Sequence, residues 1–299
     1  MHGRFEYGFH PTAGFVEEGE ELHLTRTGGR RFRPQALDIV PSKGRYRIFV
    51  IGDSVTRGSS VESSYTGRLV GELASNGIQV ESYNMGVGGH GSRRKHLTLL
   101  QSLKYKPDLV VLHIGNSNEF EDERDYLRSQ EFKTWHPKNW PMKSLAIRRF
   151  YEMKTEKVFW KWIPQAIRIE HGENDADAEI IAKSASGALS RWNKRVEKVT
   201  GESVLACLSR KTPILLLCQA YNTEGSLAKR TLTDNGLDEI IRRLTDDGVF
   251  HLSMKNVFED LDFPNLYSDS SHLRSSGHEI LAEALARKIV NSRIFENLE

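Results

Sequence analysis

Short apolar runs alternate with amphipathic segments along most of the chain, a pattern typical of α/β proteins. The runs rich in β-branched and apolar residues predict five strands, at Tyr46–Ile51, Ile78–Met85, Leu109–Ile114, Ile214–Cys218 and Val249–Leu252. Helical spacing of apolar residues predicts helices at Ser63–Ser75, Arg93–Leu103, Leu237–Leu244 and Ser276–Val290. Because each parallel connection must cross over through a helix, this alternation predicts a parallel sheet covered on both faces. Ligands are then expected at the loops that follow the strands.

Two regions do not follow this alternation. Residues 1–45 are rich in Gly, Pro and Arg without clear periodicity, and we expect an irregular N-terminal arm packed on the core. Residues 46–299 form the main domain, in which a segment at about 120–185 is inserted between the third and fourth strands. This insertion carries four tryptophans among many Lys and Arg, namely Trp135, Trp140, Trp160 and Trp162. The pattern favours a helical, aromatic-rich cap, with a substrate lid or an interfacial patch for an amphiphile as the alternative.

Charge and composition exclude several classes of function. The 299 residues include 42 Lys plus Arg and 40 Asp plus Glu, and the net charge of +2 does not favour a nucleic-acid partner. No apolar run reaches the ~18 residues of a membrane span, and the first residues lack the apolar core of a secretory signal, so we expect a cytoplasmic protein. We interpret Cys207 and Cys218 as small core residues, and we predict no metal or other cofactor.

Ser54 follows the first predicted strand, in the segment GDSVTRG. A serine hydroxyl is a poor nucleophile unless a base lies beside it and a third group orients that base. Of the eleven histidines, His272 is the one that follows an aspartate by three residues, in the segment DSSH before the last helix. Asp269 can therefore orient His272 while the other ring nitrogen faces Ser54. A helix cap is the alternative role for Ser54, and the Asp-x-x-His pair favours catalysis over it.

Three donors are available for the negative charge that develops on a substrate oxygen. One is the backbone N–H of Ser54. The second is the N–H of Gly89 in NMGVGGHG, where a residue without a side chain lets the backbone approach the substrate. The third is the side-chain amide of Asn118 in HIGNSNEF. These groups predict an oxyanion hole at the carboxyl edge of the sheet.

Four segments in this order, GDSVTRG, NMGVGG, GNSNE and DSSH, resemble the sequence blocks of the SGNH hydrolases, also called the GDSL family. The resemblance covers about residues 46–118 and 210–291. It implies a three-layer flavodoxin-like α/β/α fold with a central parallel sheet. It also implies Ser54 as nucleophile, His272 as base, Asp269 as the partner of His272, and Ser54, Gly89 and Asn118 as the oxyanion hole.

The third block departs from the family pattern. The family usually has Gly-x-Asn followed by an acid, whereas Gly115 and Asn118 are three residues apart. Asn118 is followed by Glu119 and keeps the Asn-acid pair, while Asn116 keeps the closeness to the glycine. We favour Asn118 as the donor and retain Asn116 as the alternative.

Rival motifs fit the chain less well. The segment GVGGHG matches G-x-G-x-x-G, but the next strand begins at Asp108, so its acid lies at the wrong end to hold a ribose. The segment GNSNE lacks the second glycine of a nucleophile elbow. A basic run begins the helix beside the presumed site, and we interpret it as a solvated face rather than an anion site. It comprises Arg93, Arg94, Lys95 and His96.

The sequence thus favours a serine esterase that hydrolyses a carboxylic ester through an acyl-enzyme. From the resemblance we expect a short O-acyl group on a sugar or small metabolite, so the expected partner is a small-molecule or glycan ester. An acyltransferase with the same Ser-His-Asp site and a non-catalytic ligand-binding module are the alternatives.

Overall fold

Two β-sheets make up the framework of the computed structural model. The structure describes residues 14–27, 30–115, 118, 119, 122, 123, 126, 178–221, 237–259, 261, 263–269 and 271–296. The first sheet contains β1 (Phe15–Glu18), β2 (Glu21–Thr27) and β3 (Arg30–Asp38). The second contains β4 (Tyr46–Gly52), β5 (Val80–Gly86), β6 (Leu109–Ile114), β7 (Ile214–Cys218) and β8 (Val249–Ser253).

The second sheet is parallel and has the strand order β5-β4-β6-β7-β8. Numbered along the chain within this sheet, the order is 2-1-3-4-5, which is the flavodoxin-like order. The predicted fold class is therefore confirmed. The register aligns the carboxyl ends of neighbouring strands, since Gly52 lies opposite Gly86 and Cys218 lies opposite both Ile114 and Ser253. The loops that follow the strands consequently meet at one edge.

Helices cover both faces of the parallel sheet. The described helices of four residues or more are α1 (Ser54–Arg57), α2 (Tyr65–Ser75), α3 (Ser92–Ser102), α4 (Ala178–Leu208), α5 (Leu237–Arg243), α6 (Met254–Phe258), α7 (Phe263–Leu266) and α8 (Ser275–Asn291). Side chains alternate along β4, so Ile48 and Val50 pack in one core cluster and Phe49 and Ile51 in the other. Apolar residues of α2, α6 and α8 complete the first cluster, and those of α3, α4 and α5 complete the second. The result is a three-layer α/β/α core.

The N-terminal segment differs from the irregular arm that the sequence predicts. Residues 15–38 form an antiparallel sheet in the order β1-β2-β3. Apolar side chains such as Phe15, Leu22 and Phe32 join the core cluster on the α3 side. The side chain of Gln35 bonds to the backbone N–H and C=O of Asn84 at 2.9 and 2.8 Å. The small sheet thus packs beside β5, the edge strand of the parallel sheet.

The predicted insertion is described only at its ends. Its tryptophans fall outside the described residues, and so does the choice between cap and lid. Helix α4 begins at Ala178 and continues to Leu208, so residue 185 is not a structural boundary. Across the described ranges, no helix combines the length and the apolar character needed to span a membrane.

Candidate active site

Ser54 lies at the start of α1, two residues after β4 ends at Gly52. Asp53 caps this short helix, since its side chain accepts a hydrogen bond from the N–H of Val55 at 3.0 Å. The turn packs tightly on the end of β5, where a Cβ on Gly86 would lie 2.3 Å from the backbone nitrogen of Arg57. Glycine at this position lets the turn hold Ser54 at the carboxyl edge of the sheet.

The loop between α7 and α8 carries His272 and Asp269. Its two sides pair with each other, because the N–H of Ser268 donates to the carbonyl of His272 at 2.8 Å. The loop is also attached to the end of β7. The hydroxyl of Tyr267 donates to the carbonyl of Ala220 at 2.9 Å, and the side chain of Gln219 donates to the carbonyl of Ser271 at 3.2 Å. These bonds place the loop beside the turn of Ser54.

Ser54, His272 and Asp269 form one hydrogen-bonded relay. Nε2 of His272 lies 2.8 Å from Oγ of Ser54, and Nδ1 lies 2.6 Å from Oδ2 of Asp269. A carboxylate only accepts hydrogen bonds, so Nδ1 carries a proton and Nε2 is left to accept the serine hydroxyl. The structure therefore brings together the three side chains that the sequence singles out, in the arrangement of a nucleophile, a base and an orienting acid.

Asp269 is held in its ionised form by its neighbours. Burial by itself raises the pKa of this carboxyl, but the backbone N–H groups of His272 and Ser271 oppose that effect, and the net pKa lies below its ordinary value. Both N–H groups donate to Oδ1 at 2.8 Å, which leaves Oδ2 for the imidazole. Asp269 can therefore stabilise a proton on His272 without itself becoming protonated.

A buried polar cluster packs against the turn of Ser54 on its inner side. Nζ of Lys95 lies 3.0 Å from Oδ2 of Asp53 and donates to the carbonyl of His113 at 2.9 Å. Burial raises the pKa of Asp53, but the charge of Lys95 and the hydrogen bonds from Lys95 and Val55 more than offset this, and the net pKa is lowered. Nδ1 of His113 lies 2.9 Å from the hydroxyl of Thr56 in α1. Lys95 thus balances the buried charge of the residue that caps α1.

The basic run at the start of α3 is not the solvated face that the sequence predicts. Arg94, Lys95 and His96 are all buried. Arg94 pairs with Asp122 at 3.2 Å, Lys95 pairs with Asp53, and Nδ1 of His96 lies 2.9 Å from the hydroxyl of Ser203. Arg93 is also mostly buried and is paired with Glu202. Their partners come from distant parts of the chain, so local spacing holds no signal for this burial.

The two other predicted oxyanion donors lie in the loops after β5 and β6. Gly89 has a φ of 73°, a conformation that favours glycine. The loop passes beside the nucleophile, since a Cβ on Gly88 would lie 3.7 Å from Cβ of Ser54. Asn118 lies in a turn after β6, and its carbonyl accepts from the N–H of Asp122 at 3.0 Å. Asn116, the alternative donor, lies outside the described residues.

An open cleft of about 350 Å³ lies in front of Ser54 and His272. Its remaining lining residues are mostly polar: Val55, Arg57, Gly58, Ser59, Ser63, Ser268, Leu273, Ser275 and His278. His278 is buried, and its Nδ1 accepts from the backbone N–H of Tyr65 at 3.3 Å. Neither Gly89 nor Asn118 is among the described residues that line this cleft. The same is true of His90, His113 and His251, three histidines near strand ends.

Other candidate chemistry has a structural explanation. Cys207 and Cys218 are buried thiols, and burial raises the pKa of Cys207 to about 12. Such thiols carry little thiolate near neutral pH and are poor nucleophiles. Within the described ranges, no three His, Cys, Asp or Glu side chains are grouped so that they could hold a metal ion.

Comparison with known proteins gives no matching family model and no matching curated protein. Solved structures that are similar to this chain include the following three. An acetyl xylan esterase from Geobacillus stearothermophilus is 19% identical, with 84% of this chain and 96% of that chain covered and a TM-score of 0.48. A GDSL-like lipase from Bacteroides thetaiotaomicron is 12% identical, with coverage of 84% and 91% and a TM-score of 0.46. An alpha/beta hydrolase enzyme from the metagenome of Lake Arreo, Spain, is 15% identical, with coverage of 81% and 94% and a TM-score of 0.46.

Proposed function

We propose that this chain is a serine esterase of the SGNH type, with Ser54 as nucleophile, His272 as general base and Asp269 as the partner of His272. The observation that supports this most is the pair of short contacts, 2.8 Å from Ser54 to His272 and 2.6 Å from His272 to Asp269. A serine that merely caps a helix has no need of an oriented imidazole at hydrogen-bonding distance.

The relay carries out ester hydrolysis in two steps. Oγ of Ser54 attacks the carbonyl carbon while its proton moves to Nε2 of His272. The ester C–O bond breaks when the tetrahedral intermediate collapses, and His272 returns the proton to the leaving alcohol. Water then gives a proton to His272 and attacks the acyl carbon. The bond from this carbon to Oγ of Ser54 breaks, His272 returns the proton to Oγ, and the carboxylic acid leaves. Asp269 accepts from Nδ1 throughout and stabilises the imidazolium.

The negative charge on the tetrahedral intermediate requires fixed donors. We assign them to the N–H of Ser54, the N–H of Gly89 and the side chain of Asn118. The loop of Gly89 passes beside Ser54, and Asn118 follows the neighbouring strand β6, which supports this assignment. Because the donors are preorganised, they need no reorientation when the charge develops.

The cleft supports a small ester as the substrate. A volume of about 350 Å³ is near the lower end of the range for small-molecule sites. Besides Ser54, four serines line it, namely Ser59, Ser63, Ser268 and Ser275. Hydroxyl groups can both donate to and accept from the hydroxyls of a sugar. We therefore assign a short O-acyl group on a sugar or a comparable small metabolite.

Solvent access favours hydrolysis over transfer to another acceptor. The side chain of His272 is 44% exposed and that of Asp269 is 52% exposed, so water has access to the base and its partner. An acyltransferase would need to keep water away from the same bond. The intact relay also disfavours a non-catalytic binding module.

A fluorophosphonate probe tests the nucleophile, and product analysis tests the reaction. We expect the probe to label wild-type protein and to leave Ser54→Ala unlabelled, with Ser59→Ala from the same cleft labelled as a control. Incubation of an acetylated sugar with an excess of an alcohol acceptor should release free acid. Labelling of a folded Ser54→Ala variant would overturn the proposal, and an acylated acceptor as the main product would replace hydrolysis by transfer.

A further inference from the structure

Two carboxylates lie fully buried after β6, in helical residues that follow the turn of Asn118. The side chains of Glu119 and Asp122 are both 0% exposed. Two like charges without solvent are strongly unfavourable unless cations and hydrogen-bond donors surround them. Burial raises the pKa of Glu119 to about 7, the charge of Asp122 adds to this effect, and Arg195 opposes it. The site therefore depends on the groups that compensate this charge.

The start of α3 supplies the first set of compensating groups. The N–H and the hydroxyl of Ser92 both donate to the carboxylate of Glu119, at 2.5 and 2.8 Å. The N–H of Arg93 donates to Asp122 at 3.1 Å, and the guanidinium of Arg94 lies 3.2 Å from the same carboxylate. The free N–H groups of a helix N-terminus favour negative charge. The turn after β6 is thus attached directly to α3.

Arg195 in α4 joins the two carboxylates from the other side. Its Nη1 donates to Oε2 of Glu119 at 2.5 Å, and its Nη2 lies 2.9 Å from Oδ2 of Asp122. Only 13% of the Arg195 side chain is exposed. A planar guanidinium can bind two carboxylates at once, whereas the ammonium group of lysine is a single point of charge. Arginine therefore suits this position better than lysine.

This cluster connects the two loops that carry the oxyanion donors. Helix α3 begins three residues after Gly89, and Asn118 immediately precedes Glu119. The contact is close, since a Cβ on Gly91 would lie 2.5 Å from Cβ of Asp122. A shift of the turn after β6 relative to α3 would therefore move Asn118 relative to Gly89.

We propose that Arg195 is a positioning residue for the oxyanion hole. By bridging Glu119 and Asp122, Arg195 holds the turn of Asn118 against the start of α3. This inference depends on the proposed function, because it assigns Asn118 as a donor to the transition state. Arg195 touches no reacting atom. Its effect on the rate passes through Asn118, since misplacing a catalytic group by about 1 Å can cost about 100-fold in rate.

A double-mutant cycle tests this coupling. The chain is compared as wild type, Arg195→Lys, Asn118→Ala and the double variant, with kcat and KM measured on p-nitrophenyl acetate. We expect Arg195→Lys to lower kcat about 10- to 100-fold with less than a threefold change in KM. In the Asn118→Ala background, the same change should lower kcat less than twofold, because the group that Arg195 positions is already absent.

Controls separate this inference from the proposed function and from loss of folding. Arg243→Gln removes an exposed arginine of α5 that pairs with Glu197 of α4, the helix that also carries Arg195, and it should change kcat less than twofold. If Arg195→Lys fails to fold, Glu119→Gln replaces it in the same cycle, because this variant removes the charge that Arg195 binds. The inference would be overturned if the loss of kcat in the double variant equalled the product of the two single losses. A folded Arg195→Lys variant with full kcat would also overturn it. A Ser54→Ala variant with full kcat would instead overturn the proposed function.

Discussion

Nε2 of His272 lies 2.8 Å from Oγ of Ser54, although 218 residues separate the two along the chain. The parallel sheet accounts for this proximity, because the turn after β4 and the loop before α8 both lie at its carboxyl edge. Each loop is held by hydrogen bonds of its own, the first through Asp53 and the second through Tyr267. The hydrogen bonds of the two loops therefore hold Ser54 and His272 within contact of each other.

Asp269→Asn should lower kcat strongly and leave the fold intact. An amide can donate to Nδ1 of His272, which would place the ring proton on Nε2 and prevent it from accepting the serine proton. We expect kcat on p-nitrophenyl acetate to fall by about 100- to 10,000-fold. The near-UV and far-UV circular dichroism spectra should be unchanged. Ser271→Ala, in the same loop, is the matched control, and it should keep most of the activity. An Asp269→Asn rate within twofold of wild type would contradict the role of Asp269.

Asn118→Ala and Asn116→Ala distinguish the two candidate side-chain donors. Removal of one oxyanion donor lowers kcat by about 100- to 1,000-fold in other enzymes. We expect this loss for Asn118→Ala, with less than a fivefold change for Asn116→Ala, when kcat is measured on the same ester. The reverse order of the two variants would assign the role to Asn116.

Lys95→Met should destabilise the protein through the charge left on Asp53. Both side chains of the pair are buried, at 4% and 5% exposure, so no solvent compensates the carboxylate once the ammonium group is removed. We expect the free energy of unfolding in urea to fall by about 3–5 kcal/mol. The exposed pair of Arg243 and Glu239 provides the control, since Arg243→Gln should change stability by at most about 1 kcal/mol. Equal effects of the two substitutions would show that Lys95 contributes no more than a surface ion pair.

His278 should make the protein less stable as the pH falls from about 6.5 towards 4. Burial lowers the pKa of His278 to about 4, with the charges of Arg68 and His272 adding to this effect. Between these pH values the unfolded chain binds a proton that the folded chain does not, so acid favours unfolding. One histidine with this difference in pKa lowers the free energy of unfolding by up to about 1.4 kcal/mol for each pH unit of acidification in this range.

The His278→Asn variant isolates this contribution. Its side-chain oxygen can replace Nδ1 as acceptor for the N–H of Tyr65, but it does not titrate. We expect the free energy of unfolding to depend less steeply on pH between 4 and 6.5 in the variant than in wild type. Identical slopes would mean that His278 binds its proton equally well in the folded and unfolded states.

Much of the framework could be predicted from the sequence, because the apolar runs that form its strands are local patterns. The apolar runs Leu109–Ile114 and Ile214–Cys218 coincide with β6 and β7. The sheet β1-β2-β3 was not predictable in this way, because β3 reads RRFRPQALD and its proline and charged residues weaken the period-two pattern. Its apolar positions find their partners only when the small sheet packs beside β5.

The site shows the same division between local and distant signals. Asp269 and His272 are three residues apart, so their pairing is visible in the sequence. Lys95 and Arg195 are not recognisable as buried ions, because their carboxylate partners are distant in the sequence. A basic side chain at the start of a helix is ordinarily solvated, and only the tertiary structure supplies the charge that makes its burial favourable.

Trapping of the acyl-enzyme tests the central claim most directly. Wild-type protein and Ser54→Ala are mixed with p-nitrophenyl acetate, quenched in acid and mapped by peptide mass spectrometry. We predict an acetyl group on Ser54 of the wild type, and for Ser54→Ala no trapped acyl group and a rate lowered at least about 1,000-fold. An acetyl group on another residue, or a folded Ser54→Ala variant that hydrolyses the ester at the wild-type rate, would contradict the account.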